Sequence, residues 1–303
     1  MPTLSETLDQ CLLDLAWSLW TELGVAGVYR KHQQFLIAPE ELILLTSVLG
    51  SRDPRLRDEA MDWCSRNHQW IAVSRLKTLA KAWENLVAEP FSLFAATLNA
   101  LTKANWPLFI EVSPRPFKAS GKSQLPNFEN PALLLFRLRA LFGVGARADV
   151  IAFFLAQPKT DYAISDTTEI GYTKRNLADV LEGFALAKIF ETFKARNQSR
   201  YRFRQHNSFV ALLAPLPQFM PSWRHCLEVL LTLRACIQRV ENKSEATRVI
   251  EIRNVLSALQ PLLRRLKWKP PSLNADFQVY WKTFSEWIMD ISRDLSKGSS
   301  LFS

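Results

Sequence analysis

The chain has 303 residues, of which 48% are hydrophobic and 22% charged, a composition of folded globular domains that excludes a disordered or low-complexity protein. No apolar run reaches the roughly 18 residues that a membrane span needs, and Met1-Pro2-Thr3-Leu4-Ser5-Glu6 carries neither a basic leader nor a cleavage site, so a cytoplasmic protein without a membrane partner is expected. The net charge of +9 favours nucleic acid or an anionic surface as partner.

The N-terminal third reads as helical. Thr3 and Glu6 are spaced as a capping box, and Leu8, Leu12, Leu15, Leu19 and Leu23 follow at helical intervals. Pro39-Glu40-Glu41 opens a second helix that Gly50 closes, and Asp53-Pro54 opens a third to about Arg66. A fourth is predicted over residues 74–85, with Leu76, Leu79, Ala80 and Trp83 on one face, and a fifth over 92–105. The third and fourth together have the spacing of a degenerate DNA-binding helix pair, although a plain helical bundle produces the same pattern. Residues 113–131 change character: Pro114, Pro116, Gly121, Pro126 and Pro131 among polar residues read as a linker. Pro131 starts a helix that ends at Gly143.

Between residues 144 and 204 the elements follow a specific order. Residues 146–155 form a helix with Val150, Ile151, Phe154 and Leu155 inward, and Gln157-Pro158 ends it. A short helix over 164–170, with Ser165 as cap, leads into a tight turn at Gly171-Tyr172. Thr173 caps a third helix running to about Leu186, whose buried side is Leu177, Val180, Leu181 and Phe184. The period then switches to two. Residues 188–193 form one strand, 194–199 a polar loop, and 200–204 a second strand with Tyr201 and Phe203 inward and Arg200, Arg202 and Arg204 outward.

With the run Gly171-Tyr172-Thr173-Lys174-Arg175-Asn176-Leu177 and a hairpin ending in Tyr201-Arg202-Phe203, this fifth of the chain resembles the winged helix-turn-helix domain of ArsR- and MarR-type bacterial transcriptional regulators. The resemblance implies a central winged helix of three helices plus a β-hairpin wing (132–208); with the patterns on either side, a mainly α fold is expected, with an N-terminal helical domain (1–112), the linker (113–131) and a C-terminal helical domain (209–303). It implies that Thr173, Lys174, Arg175 and Asn176 face base edges of double-stranded DNA. There, arginine suits guanine and asparagine suits adenine. Lys194, Arg196, Arg200, Arg202 and Arg204 would meet phosphate, giving affinity and salt dependence rather than sequence choice. It also implies a regulator, possible as autoregulator or in a toxin–antitoxin or defence operon, and a homodimer. Asp179 and Glu182 weaken the positive field of the third helix.

Three alternatives stay open at this stage. The domain can serve as a protein-interaction scaffold without DNA binding. Tyr201 and Phe203 can be stacking platforms for single-stranded nucleic acid, which requires exposed rings. The stripe Phe277, Tyr280, Trp281, Phe284, Trp287, Ile288, Ile291 and Leu295 of the last helix can be a dimer or partner interface or internal core. The basic run Arg264-Arg265-Leu266-Lys267-Trp268-Lys269 reads as a solvated helix end or a phosphate contact. No GxSxG, P-loop, GxGxxG-acid or HExxH motif occurs, and Cys11, Cys64, Cys226, Cys236 and the four histidines are scattered. The expectation is therefore no enzyme, no cofactor and no metal.

Overall fold

The computed structural model describes residues 2–27, 30–156, 161–195, 197–272 and 276–298. Among them are thirteen helices: α1 (Leu4–Glu22), α2 (Pro39–Leu49), α3 (Pro54–Asn67), α4 (Val73–Ala82), α5 (Glu84–Leu101), α6 (Leu134–Phe142), α7 (Ala146–Ala156), α8 (Ile164–Thr167), α9 (Lys174–Leu186), α10 (His206–Leu213), α11 (Trp223–Val240), α12 (Glu245–Leu266) and α13 (Phe277–Lys297). Strands β1 (Asp161–Ala163), β2 (Phe190–Ala195) and β3 (Gln198–Phe203) form one antiparallel sheet in the order β1-β3-β2. No helix among the described residues is long and apolar enough to cross a membrane.

Local chemistry explains most helix starts. Thr3 and Glu6 close the reciprocal capping box on α1, with Thr3 N–H donating to Glu6 at 2.8 Å. Pro39 and Pro54 stand at the first helical positions of α2 and α3, and the Asp53 carboxylate accepts from Leu56 N–H. The boundary between the fourth and fifth helices differs from the expected one. The break falls at Trp83, which is drawn into the core and donates its indole N–H to Glu228 at 3.3 Å. Helix α5 then begins at Glu84 and runs through Pro90. An interior proline costs about 3 kcal/mol, offset here by the buried row Val87, Phe91, Phe94 and Leu98.

Two hydrophobic cores result. The larger draws on α1–α5 and α11–α13, so helices from both ends of the chain share it. Buried Asp9 of α1 pairs with Arg234 of α11 at 2.5 Å, and His32 bridges Ser18 of α1 and the Leu295 carbonyl of α13, each at 2.7 Å. The aromatic stripe of α13 belongs to this core: Tyr280, Phe284, Ile288 and Leu295 are fully buried, and only Phe277 and Val279 stand out. On α12 the buried row is Val249, Ile252, Leu256, Leu259 and Leu263, and Ile250 lies on the outer face. Residues 113–131 carry no helix or strand before Pro131. They are tied to the first helices: Asp62 accepts the N–H groups of Gly121 and Ser123, and Phe117 and Phe128 pack on the core.

The smaller core combines α6, α7, α9 and the sheet. Here α7 buries Val150, Ile151 and Phe154, while Phe154, Phe190 and Phe203 meet at ring-centroid distances of 4.6 to 6.4 Å. Three sequence expectations change. Ala163, not Ser165, precedes the second helix, with its N–H held by Asp166 at 3.1 Å. The strands run to Ala195 and from Gln198, so the loop between them is shorter than residues 194–199. Strand β1 was not anticipated, because three residues are too few to show a period of two. The predicted stop at Gln157-Pro158 lies outside the described residues.

Candidate nucleic-acid interface

The site is built on the seat of α9. Six buried polar side chains meet where the two cores touch: Glu40 and Glu41 at the start of α2, Arg75 of α4, Arg139 of α6, Asp149 of α7, and Tyr172 from the turn before α9. Glu40 takes Arg75 at 2.6 Å, Arg139 at 2.8 and 3.0 Å, and the Ala72 N–H at 2.7 Å. Glu41 takes both terminal nitrogens of Arg75, at 2.7 and 2.5 Å. Asp149 accepts from Arg139 at 3.1 Å and from the Tyr172 hydroxyl at 2.5 Å. Burial alone would push the Glu40 carboxyl up, but Arg139 and Arg75 override it and hold it below the usual carboxylate range. Burial, with Asp149 and Glu40 beside it, raises the Tyr172 phenol, which stays a donor.

This network grips the turn that aims α9. Arg75 Nε donates to the Ile170 carbonyl at 2.7 Å, and Tyr172 is held by Asp149. Gly171 between them has φ +95°, and a Cβ there would lie 3.3 Å from Arg75 Cγ, so the position suits glycine on both counts. Thr173 then caps α9 by accepting from Asn176 N–H at 3.3 Å. Leu177, Leu181 and Phe184 bury the inner face.

Thr173, Lys174, Arg175 and Asn176 are all exposed in this first turn, and no ion pair among the described residues engages Lys174 or Arg175. Asp179 and Glu182 are exposed further along. The hairpin is different. Tyr201 is only 2% exposed and Phe203 8%, which removes the single-strand stacking reading because the rings are core. Arg200 is ion-paired with Asp161 of β1. Arg202 lies 3.7 Å from Glu191 and 5.0 Å above the Phe193 ring. Lys194 and Arg204 stand free of ion pairs among the described residues and are exposed. Arg196 lies outside the described residues.

The six network residues were not anticipated as site residues. The one available signal was Arg139, four residues after Leu135 on a stripe that is otherwise apolar. Arg75, placed by sequence on a candidate DNA-binding helix, instead points inward with Leu76 and Leu79. Ser222, His225 and Glu169 also converge. Ser222 Oγ and Glu169 Oε2 both approach His225 Nδ1, at 3.0 and 3.8 Å. Two groups on one ring nitrogen cannot serve as nucleophile and orienting carboxylate on opposite sides of the imidazole. Burial, together with Arg224 and Arg265, lowers the His225 pKa to about 4, so it is neutral at physiological pH.

The sequence matches no protein-family model, no curated protein and no solved structure.

Proposed function

We propose that this protein binds double-stranded DNA through a winged helix-turn-helix formed by α7, α8, α9 and the β2–β3 hairpin, and acts as a transcriptional regulator. The observation that carries this reading is the first turn of α9. It presents Thr173, Lys174, Arg175 and Asn176 to solvent, while the residues before it are clamped by a buried ionic network. A helix whose donors are free and whose base is fixed suits insertion into a major groove, where arginine and asparagine make paired hydrogen bonds to guanine and adenine. Lys194 and Arg204 supply phosphate contacts beside it. Arg200 and Arg202 are already engaged by Asp161 and Glu191, so their share of the phosphate field is smaller than the sequence suggested.

A second reading, a protein-contact module, is favoured by a different feature. Leu141, Val144, Leu186 and Leu212 are exposed apolar residues of this same half of the chain, with Leu186 83% accessible. The two readings separate in a mobility-shift titration with duplex DNA from upstream of the protein's own gene. It compares wild type with Lys174→Ala/Arg175→Ala at two salt concentrations. DNA binding predicts a salt-sensitive complex whose sequence-specific component disappears in the double variant. Absence of any complex at low salt would refute it in favour of the contact module.

A further inference from the structure

The basic run at the end of α12 is remote in sequence from the winged-helix segment, yet the fold brings it beside the turn that leads into α9. Arg265 Nη1 lies 3.4 Å from Glu169 Oε2, and Glu169 stands four residues before Thr173. The end of α12 therefore flanks the turn that sets the start of α9, which puts its cations on the same part of the molecule as the first turn of that helix. We propose that Arg264, Arg265, Lys267 and Lys269 form a second phosphate-binding strip that extends the DNA interface beyond the wing. The inference rests on the DNA-binding reading of α9.

The local structure is suited to hold charges outward. Trp268 is buried in the larger core, and it anchors the chain between Lys267 and Lys269, which are both exposed. Arg264, Lys267 and Lys269 make no ion pair among the described residues. The facing acid is Glu169, already shared by Arg265 and His225. Lys267 also occupies the helix-closing position in the left-handed region, φ +57°, where glycine is the usual residue. A lysine here exposes a cation at a place where backbone preference argues against one.

That conformation supplies a clean test. In Arg264→Ala/Lys267→Gly/Lys269→Ala, every changed side chain is exposed and the glycine relieves a left-handed residue, so the thermal midpoint is expected to hold. The full-length variant and wild type are titrated against a labelled duplex by fluorescence anisotropy over a range of salt concentrations. Each phosphate contact contributes about 0.9 to the slope of log affinity against log salt, so the triple variant should lose roughly 2 to 3 from that slope. An unchanged slope, with Lys174→Ala/Arg175→Ala still abolishing specific binding, overturns the strip and leaves the DNA reading standing. Failure of wild type to bind duplex DNA at low salt overturns both.

Discussion

Replacing Glu40 by glutamine removes one charge from the buried network and nearly preserves the side chain's shape. In wild type the carboxylate accepts from Ala72 N–H, Arg75 and Arg139 over distances of 2.6 to 3.0 Å. Glutamine keeps one acceptor oxygen and turns an amide donor toward a guanidinium that is itself only a donor. Removing one partner of a buried ion pair costs about 3 to 5 kcal/mol, because the remaining charge stays buried without compensation. For a chain of this size, about 2 °C per kcal/mol gives a fall in thermal midpoint of roughly 6 to 10 °C. Circular dichroism melts would read it, and hydrogen exchange at residues 170–177 would show whether the seat of α9 loosens first. A carboxyl held below its ordinary pKa stabilises the fold above that ordinary value and loses the contribution as pH falls through the folded-state value. The difference between wild type and Glu40→Gln should therefore narrow below about pH 4.5. A midpoint at pH 7 within about 1 °C of wild type would refute the reasoning. It would mean that the two guanidiniums do not depend on this carboxylate.

Two further outcomes are expected. His32 is fully buried and neutral, and its pKa is lowered to about 4 by burial. The unfolded chain then takes the proton first, so stability should be complete above about pH 6.5 and fall as pH drops toward 4, by about 3 kcal/mol for this one group; denaturant unfolding at stepped pH would read it, and a flat profile in that window would contradict the assignment. Leu186 lies at the far end of α9 from Thr173, about 20 Å along a 13-residue helix. Leu186→Ser should leave stability within about 0.5 kcal/mol and DNA affinity unchanged, and a loss of DNA binding would place the contact at the wrong end of α9.

The helical character of the chain and the inner faces of α7 and α9 were legible because each rests on local signals: caps at Thr3 and Thr173, proline at first helical positions, and apolar spacing. What stayed hidden depends on contacts distant in sequence. Glu40 and Arg75 each look like ordinary helix-surface charges until α2, α4 and α6 are brought together around Arg139. Asp161 neutralises Arg200 across a strand too short to announce itself, so the β2–β3 hairpin looked more basic in sequence than it is. The last helix was readable from its aromatic stripe, but its docking onto α1 was not. The docking of α13 and α11 onto α1 buries a shared apolar core and joins groups far apart in sequence, such as His32 with the Leu295 carbonyl and Arg234 with Asp9.

The central claim, that the first turn of α9 reads base sequence, is tested most directly by selecting bound duplexes from a randomised DNA pool. Wild type and Arg175→Ala would be run in parallel. The account predicts enrichment of a short motif containing guanine with wild type. It also predicts loss of preference at that position, about 1 to 3 kcal/mol of discrimination, with Arg175→Ala. Enrichment of no motif, or of the same motif by both proteins, would contradict it.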